Sequence, residues 1–278
     1  MQSAATRRSI LVTGGTGLVG SRLLPRLVES GLHCRALVRS GKAVPSGVTA
    51  VEGDILDPAS LVEAVRGATA IIHLAAILRT PNVSEIWRAN FDGTRNLIAA
   101  VRTHSPDARF IMASTGLVYG ENNSRPAREC DAVAPEWDYP ASKIAAEKLL
   151  QESGLNWSIL RLGFVYGDAD GHLGQIPHIA RIMRLHPANR LSMIHHRDIA
   201  TFIKMGLNGI LDGRIVNAVD DAPMTIFELS ALAAQPMEPA ATPLTHPWHG
   251  VLDGSLALSL GFRPAIATTW QAARENAL

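Results

Sequence analysis

Cysteine is scarce in this chain of 278 residues. Cys34 and Cys130 are the two present, with no CxxC pair and no zinc-ligand spacing. A disulfide scaffold and a zinc finger are therefore excluded, and both residues are expected as buried free thiols. An excess of either charge is also lacking: 26 Lys and Arg against 25 Asp and Glu leave a net charge of +1. Neither a nucleic-acid surface nor a funnel for acidic ligands follows from that balance. The short apolar stretch after Met1–Ser9 ends in glycines, so it reads as neither a secretory signal nor a membrane span. A cytoplasmic protein without membrane or nucleic-acid partners is the expectation. Metal-ligand spacing is missing among His172, His178, His186, His195 and His196, and Asp168-Ala169-Asp170-Gly171 lacks the later ligands of a calcium loop. No metal is expected. His195-His196-Arg197-Asp198 lacks the residues that follow His-Arg-Asp in a kinase loop and reads as a strand end whose Asp198 caps a helix. There is no internal repeat.

Apolar residues and glycine are plentiful. An apolar content of 47% and 23 glycines suit a buried α/β core with many strand–helix turns. Strand-like runs at Ile10–Thr13, His33–Val38, Val48–Glu52, Ala70–His73, Arg109–Ala113 and Trp157–Leu160 alternate with helical ones. The helices fall near Leu18–Glu29, Pro58–Arg66, Ser84–Thr103 and Tyr139–Ser153. This alternation predicts a parallel sheet covered on both faces, an α/β fold of the doubly wound Rossmann type. Leu191–Ile194 followed by Asp198–Leu207 reads as one more strand–helix unit returning to that sheet. The segments around it are irregular and rich in proline. Residues 1–167 with 188–217 are thus expected to form the dinucleotide-binding domain, and 168–187 with 218–278 a small C-terminal substrate-binding cap.

Thr13-Gly14-Gly15-Thr16-Gly17-Leu18-Val19-Gly20 joins the first strand to the first helix. Glycines there let the backbone approach a pyrophosphate, which the N–H groups at the helix start then bind. Gly14, Thr16, Gly17, Leu18 and Val19 are the expected contacts. The second strand ends Arg35-Ala36-Leu37-Val38-Arg39-Ser40, with no carboxylate to hold a ribose hydroxyl. Arg39 and Ser40 instead suit a 2′-phosphate, so NADP is expected, with NAD as the alternative.

Tyr139-Pro140-Ala141-Ser142-Lys143 puts a phenol and an ammonium four residues apart on one helix face. A nearby cation favours the phenolate and brings a tyrosine towards the working range of an acid/base. Ser114 and Thr115 follow the buried run Phe110-Ile111-Met112-Ala113 to the carboxyl edge of the sheet, where a hydroxyl could polarise a substrate carbonyl or simply close the strand.

Taken together, the tight glycine spacing, the strand-end hydroxyl and the YxxxK pair resemble the extended short-chain dehydrogenase/reductases, the epimerase/dehydratase branch. The resemblance runs from Ile10 to Pro264. It implies that Asp54 and Ile55 hold the adenine, and that Leu74, Ala75 and Ala76 after His73 lie along the cofactor. It further implies that Asn90 is the helix asparagine near the site, and that Thr115, Tyr139 and Lys143 are catalytic. In this role Lys143 also binds the nicotinamide ribose. A homodimer through the helices at Ser84–Thr103 and Tyr139–Ser153 is implied as well. Gly163, after Arg161-Leu162, is placed to line the nicotinamide pocket. Phe164, with Thr115, is expected at the substrate, where nucleotide-sugar members commonly carry an asparagine. The expected activity is carbonyl/alcohol interconversion by hydride transfer on a small molecule. The alternatives are a nucleotide-sugar epimerase/dehydratase and a non-catalytic NADP-binding sensor.

Overall fold

The computed structural model describes residues 8–278, so residues 1–7, which hold most of the segment read as lacking a signal, lie outside the described residues. The first half of the chain runs β1 (Ser9–Thr13), α1 (Gly20–Glu29), β2 (His33–Val38), β3 (Val48–Glu52), α2 (Pro58–Val65), β4 (Ala70–His73), α3 (Val83–Trp87), α4 (Gly93–His104) and β5 (Arg109–Thr115). The second runs α5 (Asp138–Gln151), β6 (Asn156–Leu162), β7 (Phe164–Tyr166), α6 (Ile176–Ile182), β8 (Arg190–Leu191), β9 (Met193–His195) and α7 (His196–Leu207). It closes with β10 (Arg214–Ala218), β11 (Met224–Thr225), α8 (Ile226–Leu232), α9 (Ser255–Ser259) and α10 (Thr269–Arg274).

A seven-stranded sheet has the order β10-β6-β5-β4-β1-β2-β3. β1 pairs in parallel with both β2 and β4, and Thr13 and His73 are register partners at the carboxyl ends. The chain order reverses between β1 and β4, and an open α/β sheet binds ligands outside its strand ends at such a switch point. Strands β1 and β4 are apolar and buried on both faces, as a doubly covered parallel sheet requires. α2 begins as its sequence dictates: Asp57 accepts the Ala59 N–H at 3.1 Å, and Pro58 takes the first turn.

The chain divides into two compact units. One comprises the residues up to Ala113 with Trp137–Ile159 and Ile203–Arg214; the other comprises Ser114–Glu136, Leu160–Phe202 and Ile215–Leu278. The second unit has its own core, in which Tyr166, Ile176, Met193, Met224, Ile226 and Leu229 are buried together.

Three expectations are corrected. The stretch Leu191–Ile194 does not return to the large sheet: β8 pairs with β11 and β9 with β7, in two separate two-stranded sheets. The edge strand of the large sheet is β10 instead. The helix expected near Ser84–Thr103 is present as a continuous helical run over α3 and α4, with a π turn at Arg88–Asp92 inside it. Asp198 lies inside the first turn of α7 rather than at its cap. Its carboxylate accepts the N–H groups of Ala265 at 2.6 Å and Ile266 at 3.1 Å, fastening the later chain. Cys34 is buried, and burial pushes its thiol up to about 11, but Cys130 is exposed.

Candidate active site

The glycine loop is a cradle that side chains would fill. Gly14 has φ +71°, and a Cβ on it would sit 2.6 Å from the Ala75 nitrogen. A Cβ on Gly20 would collide with the Gly14 carbonyl oxygen. Loop and strand end therefore meet backbone to backbone, as close approach to a ligand demands. Thr16, Gly17 and Leu18 stand exposed on the loop's rim. α1 has no acidic residue in its first turn, so although its Ser21, Arg22 and Leu23 N–H groups donate to the Gly17 and Val19 carbonyls, its dipole still favours an anion at this end. Arg39 and Ser40 lie exposed just beyond β2. Asp54 accepts the Leu56 N–H at 2.9 Å, and Ile55 packs against Gly93 at the start of α4.

Tyr139 occupies the first turn of α5, where the helix dipole favours an anion, and is half-buried. Lys143, one turn on, is 2% exposed. Burial pushes its ammonium down to about 8, against a smaller opposing pull from Glu147. A lysine so desolvated holds a proton that neighbouring charge can easily move.

Asn90 lies in the π turn and is fully buried. Its side-chain oxygen accepts the Ile77 N–H at 2.8 Å, and its amide donates to the Ile77 carbonyl at 3.0 Å and to Ser142 Oγ at 3.0 Å. The Ser142 hydroxyl donates in turn to the Tyr139 carbonyl at 2.7 Å. Asn90 thus ties the segment after β4 to the YxxxK turn, its polar atoms engaged by protein partners. A π turn inserts one residue into a helix and is frequent at functional sites, here aiming Asn90 inward. His73 is buried between Thr13 and Thr94, its Nδ1 2.7 Å from one hydroxyl and its Nε2 2.8 Å from the other. Burial and the Lys143 charge push this imidazole down to about 3. Sequence reasoning does not single out Thr13, Thr94 or Ser142 as site residues. The available signal is the polar residue closing each of two otherwise apolar strands.

Thr115, Gly163 and Phe164 belong to the second unit. Thr115 is buried at the end of β5 and accepts the Leu117 N–H at 3.2 Å. Gly163 presses on Ser192, where a Cβ would lie 2.6 Å from the carbonyl oxygen. The Phe164 ring stacks on His172 at 4.3 Å. A cavity of about 470 Å³ in this unit is lined by Asp220, Trp248, Leu252 and Phe262, with the Arg190 guanidinium 5.0 Å from the Trp248 ring centre. Among the described residues, no group of three His, Cys, Asp or Glu side chains could hold a metal, and no helix is long and apolar enough to cross a membrane.

A parallel sheet with this order, a glycine cradle at its switch point and a YxxxK helix define a dinucleotide-binding protein of the short-chain dehydrogenase/reductase type. The chain belongs to the NAD dependent epimerase/dehydratase family, whose model matches residues 10–204. It is 32% identical over 194 residues to a UDP-glucose 4-epimerase of Azospirillum brasilense, covering 64% of this chain and 55% of that protein. A ceramide reductase of Caulobacter vibrioides is 31% identical over 202 residues, covering 70% and 59%. The chain thus spans little more than half the length of these relatives. In structure it is similar to a short-chain dehydrogenase/reductase superfamily protein of Agrobacterium tumefaciens with bound NAD. The TM-score is 0.79 at 23% identity, with 96% and 95% of the chains covered.

Proposed function

We propose that this protein is an NADP(H)-dependent oxidoreductase that interconverts a carbonyl and an alcohol, with Tyr139 as acid/base. The observation that carries the reading is Lys143, buried one helical turn from Tyr139 and held at about 8. A phenol that must give and take a proton has a use for an ammonium so placed. The glycine cradle fits a dinucleotide: Gly14, Gly17 and the positive end of α1 would hold the pyrophosphate, with Thr16, Leu18 and Val19 along the rim. Arg39 and Ser40 would hold the 2′-phosphate. Asp54 and Ile55 would border the adenine, and Leu74, Ala75 and Ala76 the stretch between. When bound, the nicotinamide supplies the hydride acceptor or donor. Tyr139 moves the proton, Lys143 favours its phenolate and reaches the ribose, and Thr115 polarises the substrate oxygen.

Asn90 acts in this scheme by holding the Tyr139 turn, since its own amide is engaged. The intact Tyr139 and Lys143 pair argues against a sensor, which needs no tuned phenol. A second reading, an epimerase or dehydratase in which the hydride leaves and returns, is favoured by the relative named UDP-glucose 4-epimerase. Turnover that changes bulk NADPH absorbance separates net redox from hydride return. The mechanism itself is tested by Tyr139→Phe: turnover falls by a factor on the order of 100 to 10,000 while cofactor affinity stays nearly constant. Turnover within a few-fold of the parent would sink the assignment.

A further inference from the structure

We propose that His73 is a positioning residue for this chemistry. It acts as a neutral Nε2–H imidazole that locks the glycine-loop end of β1 to the π turn carrying Asn90, and through Asn90 and Ser142 to the backbone of Tyr139. The proposal rests on the reading of the glycine loop and Tyr139 given above.

The hydrogen-bond directions fix the state of the ring. The Thr94 hydroxyl donates to the Asn90 carbonyl at 2.6 Å. Its oxygen can therefore only accept from the ring, so Nε2 carries the hydrogen across the 2.8 Å contact. In a neutral ring Nδ1 is then an acceptor, and the Thr13 hydroxyl donates to it at 2.7 Å. Thr13 Oγ1 in turn accepts the Ala75 N–H at 3.3 Å. A protonated ring would aim a second N–H at Thr13 and force that hydroxyl to turn away, and the Lys143 charge opposes it as well. The hydrogen bonds from Ala75 to Tyr139 all run in one direction.

This arrangement explains why an otherwise apolar strand ends in histidine. Thr13 is the last residue before the glycines, and Ala75 is the backbone against which Gly14 packs. One arm of His73 thus holds the two segments that would flank a pyrophosphate. The other arm reaches, by way of Thr94, the turn whose Asn90 fastens Ser142 and hence Tyr139. Thr13, His73, Asn90, Thr94 and Ser142 are all fully buried, so an unmade bond here has no water to replace it.

The arms can be cut separately. His73→Gln supplies an amide N–H near Nε2 and loses the Nδ1 acceptor; His73→Asn keeps an acceptor near Nδ1 and loses the Nε2 donor. The readouts are the dissociation constants for NADP⁺ and NAD⁺ by tryptophan fluorescence, and the ionisation of Tyr139 followed by tyrosinate absorbance. His73→Gln should raise the dissociation constant of the tighter cofactor about ten-fold with the Tyr139 midpoint unmoved. His73→Asn should shift that midpoint by about half a pH unit or more and change cofactor affinity less than about two-fold. Thr13→Val should repeat the first pattern and Thr94→Val the second, which keeps the test decisive if a His73 variant does not fold. Loss of melting temperature alone, or equal changes in both readouts in every variant, overturns the positioning role. If the parent protein behaves as the function requires and only these patterns fail, that reading stands without His73. A parent that binds neither cofactor overturns both.

Discussion

Replacing Lys143 by methionine tests the central pair without any substrate. The chain has three tyrosines, and burial sets two of them apart. Tyr119 is pushed up to about 12, and burial together with the Asp220 carboxylate raises Tyr166 as well. A tyrosinate signal at moderate pH therefore belongs to Tyr139. Side chains one helical turn apart have Cβ atoms about 6 Å from each other. At that distance, and with an effective dielectric of about 20, a unit charge is worth about 2.8 kcal/mol, or about two pK units. The ammonium stabilises the phenolate, so its removal raises the midpoint. A spectrophotometric titration of the cofactor-free protein should show one of the three tyrosines ionising before the two that burial pushes up. Tyr139→Phe should abolish that step, and Lys143→Met should move it up by about two units. A parent protein in which the three tyrosines ionise together, or a Lys143→Met midpoint within about half a unit of the parent, would refute the coupling.

Three further outcomes are expected. Burial raises Asp220 to about 8, so its folded-state pKa exceeds the unfolded value; stability from this group is full below about pH 4 and is lost as pH rises through about 8. Asp220→Asn, which mimics the protonated acid, should raise the melting temperature at pH 8 by a few degrees and give no gain at pH 4; equal effects at the two pH values would contradict this. Arg39→Ala should erase a preference for NADPH over NADH by losing a charge-assisted bond to the 2′-phosphate, and equal affinities in the parent would remove the assignment. In a thermal-shift panel with NADP present, simple ketones, aldehydes and lactones should stabilise the protein more than nucleotide diphosphates do, because Phe164 presents an apolar ring; stabilisation by the diphosphates alone would favour the epimerase/dehydratase alternative.

The parallel sheet was legible because buried strands carry a local signal. Ile10–Val12 and Ala70–Ile72 are continuous apolar runs, and glycine punctuation marks where each meets a helix. β10 carried no such signal. Its Asn217 is fully buried, which reads as a break in an apolar strand. The partners that make it tolerable are far away in sequence: Tyr119 donates to it, and it donates to the carbonyls of Ala127 and Asp253. Leu191–Ile194 erred in the opposite direction. Its apolar residues are those of a strand, but Ser192 divides it, and each half pairs with a different short partner. Pairing is non-local, so a window of the chain cannot choose between them.

The same division runs through the candidate site. Residues recognised by type and spacing, such as the glycines and the YxxxK pair, can be read from short stretches because their geometry is local to one turn or one helix. His73, Thr94 and Ser142 act through what surrounds them, and each looks ordinary alone. Thr13 and His73 become partners only because β1 and β4 lie side by side in register. Asn90 is instructive because its type was legible and its use was not. Alone, an asparagine near a dinucleotide suggests a ligand contact. Buried in a π turn, with its amide donating to Ile77 and Ser142, it serves the helix that carries the tyrosine. A residue's chemistry can be read from its letter, but whether that chemistry faces a ligand or another residue is decided by how many of its hydrogen bonds the fold has already used.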